Sequence, residues 1–416
     1  MRRDLFRRPM STAVPESSEI APPPRISPLV FIFATIFLDL LGVGLLVPVL
    51  PFIIAKFRPD ALTVGLLSSS YAIAQFLAAP VLGALSDRFG RRPVLLLSML
   101  GTAAGYFLFG FTRNMALEWV LPVMYLSRLI DGVTGAVVSS AQAYIADVSK
   151  PEDRTKNFGL VGVAFGLGFI FGPAIGGVLG RIDLYLPVWF AGGFAIANAV
   201  LGYFTVTESL QPEMRHAFGL GDFNPFRQLL ALFRNPRVRG LVTGFVLFNV
   251  AFAGFTGVFG VFLRDVFHWG PGQTAGLFAS IGIALAIVQG GLLRRLVPRF
   301  GEPKLLIYGL VVAIIAFLLI TVVPSANWYY ATQVILAAGV GVAMPSMRGL
   351  ISNRVSGREQ GKTIGGTQGL MSLSQMLGPL WATAAYDYIG HYSPFWIAIA
   401  LILTAIAFLL PAVRME

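Results

Sequence analysis

Residues 83–92 read GALSDRFGRR and separate two long apolar stretches, at 61–85 and 93–111. A helix that crosses a bilayer needs about 20 apolar residues, each adding a rise of about 1.5 Å, and both stretches are long enough. The connection between them is short and carries three arginines. Because Lys and Arg collect on the cytoplasmic side of membrane proteins, this segment predicts two spanning helices joined by a cytoplasmic turn.

The composition of the whole chain excludes a soluble protein. Of its 416 residues, 56% are hydrophobic and only 12% are charged, and the mean hydropathy is +0.75. A soluble domain carries about 25% charged residues because its surface faces water. This chain therefore needs a lipid bilayer as its surroundings.

Several kinds of chemistry are excluded as well. The chain has no cysteine, and its three histidines, at 216, 268 and 391, lie far apart. A disulfide framework, a thiolate metal site and a cysteine nucleophile are therefore ruled out, and we predict no metal site. Neither a set of nucleophile, base and orienting residue nor a phosphate-binding loop occurs, so an enzyme is not expected.

Twelve apolar stretches are long enough to span the membrane, which predicts an all-α integral membrane protein with twelve transmembrane helices. They lie at 29–55, 61–85, 93–111, 118–145, 157–180, 185–206, 240–264, 273–293, 304–323, 328–351, 361–385 and 393–412. We number these predicted spans one to twelve.

The distribution of charge predicts the orientation. With a cytoplasmic N-terminus, 24 Lys and Arg residues fall in cytoplasmic segments and 5 in the segments on the other side. This bias predicts that both termini are cytoplasmic and that the protein lies in the plasma (inner) membrane. It also accounts for the net charge of +11, so nucleic acid is not expected as a partner.

The two halves of the chain resemble each other. Residues 140–156 read SAQAYIADVSKPEDRTK and residues 346–362 read SMRGLISNRVSGREQGK, an offset of 206 that also aligns the Gly-Pro pair at 172–173 with the pair at 378–379. A shorter match joins RFG at 88–90 to RFG at 299–301. Such a repeat is typical of two-lobed secondary transporters, in which substrate binds between the lobes near the middle of the membrane.

The repeat and the polar segments predict four regions. Residues 1–28 are basic and rich in Ser and Pro, which predicts a disordered cytoplasmic tail. Residues 29–206 and 240–412 form two six-helix bundles, joined by a cytoplasmic linker at 207–239.

The segment 83–92 resembles the G-x-x-x-D-[RK]-x-G-[RK]-[RK] signature of the major facilitator superfamily. A basic turn that only obeys the charge bias would require neither the acid nor the glycines at these spacings. By resemblance, the fold is the major facilitator fold, the acid docks on span eleven to hold the outward-facing state, and Arg91 pairs with Asp147. The residues of this predicted latch are Gly83, Asp87, Arg88, Gly90, Arg91, Arg92 and Asp147.

Span five carries glycines four residues apart, which predicts a smooth helix face for close packing. The proline at 173 removes one backbone hydrogen bond and bends the helix. The string G-x-x-x-G-P-x-x-G-G also looks like the signature of the drug/proton antiporters in the superfamily. Its residues here are Gly168, Gly172, Pro173, Gly176 and Gly177.

Three charged residues fall well inside predicted spans: Asp39 in span one, and Arg128 and Asp131 in span four. A charge near the bilayer centre costs at least about 2.5–3.5 kcal/mol. One interpretation is a structural ion pair between the two spans. The other is a proton-coupling site that faces a central cavity, with Asp39 and Asp131 as proton carriers and Gln142 continuing the polar side of span four.

Other polar residues within the spans are candidate substrate contacts: Gln75, Gln289 and Arg348. The alternative for Arg348 is that its long side chain extends to the membrane surface, because it lies near the cytoplasmic end of span ten.

Span one (LDLLGVGLLVPVLP, 38–51) and span four (YLSRLIDGVTG, 125–135) resemble the tetracycline/proton antiporters and related twelve-span drug exporters. The similarity covers most of residues 30–180. Those exporters carry acidic residues in spans three and nine, whereas this chain has none there, and Asp131 stands where they have a small or neutral residue. Tetracycline itself is therefore in doubt as the substrate.

The resemblance implies a proton-coupled exporter of amphipathic small molecules that works by alternating access. It is expected to act as a monomer, with protons and a small-molecule substrate as partners and with no cofactor beyond the proton gradient. The alternatives are a symporter or facilitator for a sugar or organic acid, or a lipid or glycolipid translocase on the same fold. A membrane receptor or scaffold is disfavoured, because the chain has no sizeable extramembrane domain.

Overall fold

The computed structural model describes residues 28–135, 137–149, 154–210, 226–322, 325–355 and 360–414, and all regular structure in these residues is helical. The first half contains α1 (Pro28–Leu46), α2 (Leu50–Ala55), α3 (Ala61–Phe89), α4 (Arg91–Phe111), α5 (Leu117–Gly135), α6 (Val137–Val148), α7 (Arg154–Ile182) and α8 (Leu186–Thr205). The second half contains α9 (Phe226–Arg234), α10 (Arg239–Phe267), α11 (Pro271–Ile287), α12 (Leu293–Val322), α13 (Ala326–Asn353), α14 (Gln360–Tyr388) and α15 (Ser393–Arg414). A π-helical turn, Val288–Leu292, joins α11 to α12.

The helices account for the predicted spans. Among the described residues, nine helical segments are apolar and long enough to cross a membrane, and one of them, Pro271–Val322, is 52 residues long. It contains Gly301, whose φ of +77° breaks the helix and divides the segment into spans eight and nine. The remaining two, α7 and α14, have 29 residues each, which is about 44 Å of helix. The described residues thus form an all-α membrane protein, and their helices are consistent with the predicted twelve spans.

Span one differs from a continuous helix. The chain leaves the helical geometry at Val47–Val49, and α2 then begins with Pro51 in its first turn. Prolines at 48 and 51 cause this interruption, because proline has no N–H to donate and its ring crowds the preceding turn. Span one therefore consists of a long helix and a short one.

Two equivalent turns support the sequence repeat. Gly90 has φ +104° and ψ 157°, and Gly301 has φ +77° and ψ 153°. Both glycines follow an Arg-Phe pair, and both redirect the chain between two spanning helices. Only glycine adopts this backbone conformation without strain, so both turns require a glycine at this position.

Within each half the helices pack mainly on one another. In the first lobe, α1 packs against α7 and α8, α4 against α5 and α8, and α3 against α5. In the second lobe, α10 packs against α14 and α15, and α12 against α13 and α15. The two lobes meet where α3 lies along α14 and where α7 lies along α11.

The lobes are joined at one end of the molecule, which we call the far end because it lies opposite the two termini. There, the carboxylate of Asp387 accepts hydrogen bonds from the backbone N–H groups of Ala61 (3.2 Å) and Leu62 (2.7 Å) at the start of α3. Arg264 of α10 donates from Nη1 to the carbonyl of Pro51 (2.8 Å). These bonds connect helix ends of one lobe to helix ends of the other.

The lobes separate toward the opposite end, which we call the termini end. Gly65 and Gly83 of α3 are 18 residues apart and lie on the same helix face, since this distance is about five full turns. A Cβ built on Gly65 would clash with Thr383 of α14, whereas no described atom lies within 4 Å of one built on Gly83. The same holds for α7, where Gly177 is tight against α11 and Gly166, about three turns away, is open. A cleft between the lobes therefore opens toward the termini end.

The predicted linker contains a helix that sequence analysis did not find. Helix α9 lies in the segment 207–239, and its Leu229 and Leu232 are buried against the glycines at 366 and 369 of α14. The two leucines are three residues apart, so they share one face of a short helix. Residues 211–225 of the linker and 1–27 of the predicted tail lie outside the described residues.

Candidate functional site

The glycine face of α7 positions the part of α1 that carries Asp39. A Cβ built on Gly172 would lie 2.8 Å from the Cα of Gly44, and one built on Gly176 would clash with the carbonyl oxygen of Leu45. Gly168 meets Leu40, the residue after Asp39, in the same way. Three glycines of the predicted motif therefore let α1 approach α7 closely. The fourth, Gly177, packs against α11 of the other lobe.

Arg128 and Asp131 form a buried ion pair inside the first lobe. Nη1 of Arg128 lies 3.1 Å from Oδ2 of Asp131, and the two side chains are only 5% and 2% exposed. The guanidinium also lies over the rings of Tyr106 (5.1 Å) and Phe109 (5.2 Å). Ring faces attract a desolvated cation, so the cation is held from two directions.

This cation is not fully satisfied by protein groups. Among the described residues, neither Nε nor Nη2 of Arg128 has a hydrogen-bond partner. A buried donor without a partner costs about 1–3 kcal/mol, and more when it is charged. Groups left in this state are typical of functional sites and of sites that hold water.

Asp39 faces the same cluster from α1 and is partly exposed, whereas Asp131 is buried. It lines a narrow cavity of about 20 Å³ between α1, α4 and α8. The residues around this cavity are Thr35, Leu38, Asp39, Met99, Thr102, Tyr106, Ala191, Ala195 and Asn198. The structure thus brings Asp39 into the same polar cluster as Arg128 and Asp131, although the three residues come from two spans.

Gln75 of α3 lies at the edge of this cluster. Its side-chain amide donates to the hydroxyl of Tyr71 (3.1 Å) and to the backbone carbonyl of Gly135 (3.0 Å). Gly135 ends α5, so Gln75 ties α3 to the helix that carries the ion pair. In this conformation its amide is engaged by protein groups.

The remaining candidate contacts lie elsewhere. Gln142 of α6 is half-buried, and the side chains of residues 136–139, which precede it, lie outside the described residues. Gln289 is exposed in the π-helical turn after α11. Arg348 of α13 is exposed, with Nη2 2.8 Å from the sulfur of Met371 on α14.

The predicted latch residues assemble at the termini end of the first lobe. Arg91 is buried, and its Nε lies 3.1 Å from Oδ2 of Asp147. Its Nη1 lies 2.6 Å from Oδ1 of Asp87 and donates to the hydroxyl of Ser86 (2.7 Å). Asp87 is half exposed and pairs with Arg91 within its own lobe.

Glu208, a residue that sequence analysis missed, completes this arrangement. Its carboxylate accepts hydrogen bonds from the backbone N–H groups of Arg91 (2.8 Å) and Arg92 (3.2 Å), so it caps the start of α4, where negative charge is stabilised. Its neighbour Ser209 donates to Asp147 (3.1 Å). The available signal was an acid directly after span six, on the same membrane side as the latch.

The other predicted latch residues lie around this centre. Arg92 donates to the backbone carbonyl of Tyr203 (2.7 Å) at the end of α8. Arg88 lies over the ring of Phe89 at 5.2 Å. Gly90 leaves no room for a Cβ because the carboxylate of Glu208 occupies that space. The described residues contain no group of three or more His, Asp or Glu side chains that could hold a metal ion.

Two membrane-spanning lobes with charged groups inside and a cleft open to one end are typical of secondary transporters. Comparison with known families agrees: the profile of the Major Facilitator Superfamily matches residues 32–326 and 292–415. The chain belongs to the major facilitator superfamily, as a drug-efflux type member and a multi-pass integral membrane protein.

Several relatives support this placement. The class C tetracycline resistance protein of Escherichia coli is 36% identical over 93% of this chain and 96% of its own length. The class B protein of Escherichia coli is 31% identical over 86% of this chain and 88% of its own. Multidrug resistance protein 1 of Bacillus subtilis (strain 168) is 28% identical over 91% of this chain and 94% of its own.

Solved structures share the fold. The human organic anion transporter MFSD10 (TETRAN) matches with a TM-score of 0.70 and 27% identity, over 92% of this chain and 98% of that one. A bacterial homologue of the human lysosomal transporter Spinster, in an inward-facing and unoccupied conformation, matches with a TM-score of 0.73 and 18% identity, over 93% and 96%.

Proposed function

We propose that this efflux transporter exchanges protons for amphipathic small molecules across the plasma (inner) membrane by alternating access. It acts as a monomer, binds no nucleic acid and needs no cofactor beyond the proton gradient. The observation that carries the proposal is the cluster of Asp39 with the buried pair Arg128 and Asp131, because packing alone gives no reason to place three charges inside a lobe that lipid surrounds.

The charge distribution orients the structure. The termini end carries most of the basic residues and is the cytoplasmic side. The far end, where Asp387 and Arg264 join the lobes, is then the outer side. With this orientation the cleft opens to the cytoplasm, which supports an inward-facing state that collects substrate from inside the cell.

The latch explains how the opposite state is held. In the inward-facing state Asp87 pairs with Arg91 in its own lobe. When the cleft closes, the open face of α3 around Gly83 meets α14, and Asp87 docks at the start of that helix, where negative charge is favoured. Arg91, Asp147 and Glu208 keep the turn rigid in both states.

Proton movement supplies the energy. A pH difference of one unit is worth about 1.36 kcal/mol per proton, and each charge that crosses 100 mV adds about 2.3 kcal/mol. Protonation of Asp39 from the outside and its release inside change the net charge of the cluster beside Arg128. The equilibrium between the two states then depends on which of proton and substrate is bound.

Names of relatives indicate the substrate class. Several are tetracycline resistance proteins and others are multidrug resistance proteins. Spans three and nine of this chain contain no acidic residue, unlike the tetracycline exporters it resembles. We therefore propose amphipathic drug-type compounds as substrates, with tetracycline as one compound to be tested.

The test uses purified protein in proteoliposomes with an imposed pH gradient and a panel of labelled compounds that includes tetracycline and hydrophobic cations. We expect at least one compound to move uphill, and a protonophore to abolish this movement. Transport would indicate a facilitator if a protonophore leaves it unchanged and if it never raises the concentration of the compound above its equilibrium value. Transfer of labelled phospholipid between leaflets, without movement of any compound, would indicate a lipid translocase.

A further inference from the structure

The linker helix α9 has two apolar sides, and protein covers only one of them. Two of its leucines are buried against α14. On the neighbouring side, Leu230 and Phe233 are 54% and 38% exposed. These two residues are three apart and therefore share a face of the helix. An apolar face of this kind on a short helix with a polar remainder is typical of helices that lie in the interface of a membrane.

Helix α9 lies on the side of α14 that faces lipid. Its Leu232 contacts Gly366 of α14. Leu377 follows Gly366 by eleven residues, which is about three full turns, so the two share a face. Leu377 is 42% exposed, and Tyr388, another eleven residues on, is 78% exposed. The contact of α14 with α3 lies on a different face, at Thr383. Helix α9 is therefore placed between α14 and the surrounding lipid, outside the cleft.

A group of arginines follows the exposed apolar face. Arg234 ends α9, Arg237 lies in the next turn, and Arg239 begins α10. All three are exposed, and none has an ion-pair partner among the described residues. The segment 223–264 contains no Asp or Glu. This part of the chain therefore attracts anions with no acid of its own to neutralise it.

The turn between α9 and α10 is held by hydrogen bonds. The side-chain oxygen of Asn235 accepts from the backbone N–H of Arg237 (3.1 Å). The carbonyl of Asn235 accepts from the N–H groups of Val238 (3.2 Å) and Arg239 (2.9 Å). Helix α10 begins directly after this turn and is long and apolar enough to cross the membrane. The arginines therefore lie at the membrane surface, where the phosphate groups of lipids are.

We propose that α9 and the turn after it form an interfacial binding surface for anionic phospholipids of the cytoplasmic leaflet. Leu230 and Phe233 lie among the upper parts of the acyl chains, and Arg234, Arg237 and Arg239 contact the phosphate groups. Guanidinium groups suit this role because their planar N–H donors match the oxygens of a phosphate. Bound lipid holds α9 on α14 and anchors the linker to the second lobe. The leaflet follows from the proposed orientation, whereas the surface itself does not depend on proton coupling.

Lipid binding is tested with the full-length protein in detergent, titrated with dioleoyl phosphatidylglycerol while thermal unfolding is followed. A ligand that binds only the folded protein raises its unfolding temperature, and we expect a saturable rise that dioleoyl phosphatidylcholine does not reproduce. The variant combines Arg234→Gln, Arg237→Gln and Arg239→Gln. Each arginine near an anionic surface contributes about fivefold in affinity, so we expect the half-saturating concentration to increase by about 100-fold.

The matched control removes three exposed arginines of α12 beside the turn at Gly301, by combining Arg294→Gln, Arg295→Gln and Arg299→Gln. It loses the same charge outside the proposed surface, so we expect its half-saturating concentration to stay close to that of the unchanged protein. An equal loss in both triple variants would overturn the proposal, since it would indicate diffuse attraction to a positively charged end. Equal stabilisation by glycerol phosphate, which has the charge without the acyl chains, would also overturn it.

The position of α9 is tested separately, because the cysteine-free chain accepts a single label. Leu230→Cys carries a polarity-sensitive fluorophore in vesicles that contain phosphatidylglycerol, and phospholipids with nitroxide groups on their acyl chains are added as quenchers. We expect strong quenching at position 230 and little at the control Gly166→Cys, at the open end of the cleft. Equally weak quenching at both positions would overturn the proposal, because position 230 would then lie in water. This measurement decides the question even if the triple variant does not fold.

Failure of this surface and failure of the proposed export give different results. We expect Asp39→Asn to bind phosphatidylglycerol as tightly as the unchanged protein does, whatever happens to its proton-driven transport. A titration with phosphatidylglycerol that is the same in the Arg234, Arg237 and Arg239 variant as in the unchanged protein would overturn the lipid surface and leave the proposed export standing.

Discussion

At the scale of single residues, the buried ion pair of Arg128 and Asp131 shows how the surroundings of a charge depend on packing. Arg128 and Asp131 are three residues apart on one helix, a spacing that places them on one face, and this much is visible in the sequence. The sequence does not show that the rings of Tyr106 and Phe109 flank the guanidinium, because those residues come from α4. Which groups surround a buried charge depends on packing between helices.

The buried pair predicts a strong dependence of stability on both partners. Arg128→Gln or Asp131→Asn alone leaves one unpaired buried charge, which costs about 3–5 kcal/mol. The double change, Arg128→Gln with Asp131→Asn, removes both charges, and we expect it to cost less than either single change. Unfolding by denaturant in detergent measures all three variants.

The matched control is the exposed pair of Arg113 and Asp183, whose atoms lie 2.8 Å apart with side chains 52% and 33% exposed. Neutralising either partner there is expected to cost less than about 1 kcal/mol. Equal costs at the two pairs would contradict a desolvated ion pair in the first lobe.

At the scale of helices, the sequence predicted which spanning helices exist better than it predicted whether each helix is continuous. The twelve predicted spans follow from the length of apolar stretches, and the turn between spans two and three follows from the short basic connection at 83–92. The interruption at 47–49 comes from the prolines at 48 and 51, which a count of apolar residues does not register. The helix also continues through 293–300, beyond the end of predicted span eight. Helix α9 was missed because its two leucines are buried by packing against α14, and a pattern along the chain does not show that contact.

The glycine motif of α7 predicts the effect of adding one methyl group to the helix at Gly176. In Gly176→Ala the added Cβ would clash with the carbonyl oxygen of Leu45, so α1 must move away from α7. We expect a loss of about 1–3 kcal/mol in stability, the usual cost of overpacking, together with impaired transport because Asp39 moves with α1. Thermal unfolding and uphill transport are the two measurements.

Gly166→Ala is the control on the same helix, since no described atom lies within 4 Å of its added Cβ. Alanine is also a better helix former than glycine by about 1 kcal/mol, so this variant is expected to be as stable as the unchanged protein or more so. Similar losses at both positions would show that the close approach of α1 and α7 is not required.

At the scale of the whole molecule, the two lobes touch at the far end and separate at the termini end. The sequence repeat predicted two lobes, but no sequence pattern shows which end is closed, because both states use the same residues. The contrast between Gly65 and Gly83 on one face of α3 decides this in the structure.

The cysteine-free chain makes this asymmetry measurable. A single cysteine in place of Gly166, at the open end of α7, is expected to react with a soluble maleimide. One in place of Ala275, which is 4% exposed against Gly177, is expected to be protected. The reverse pattern would show that the protein in membranes rests in the opposite state.

The same labels test the latch. Asp87→Asn removes the charge that is proposed to hold the outward-facing state, so we expect faster labelling at position 166 and slower labelling at position 275. Substrate affinity measured with the lobes cross-linked in one state is expected to stay unchanged. A change in affinity without a change in labelling would contradict a role in conformational balance.

Proton coupling at Asp39 is tested by measuring uphill transport by Asp39→Asn in proteoliposomes, with a pH gradient imposed and with exchange at equal pH measured in parallel. We expect the variant to fold and to exchange substrate but no longer to accumulate it, because asparagine neither binds nor releases a proton. Accumulation driven by the pH gradient as strongly as in the unchanged protein would contradict the proposal that Asp39, inside the first lobe, couples protons to export.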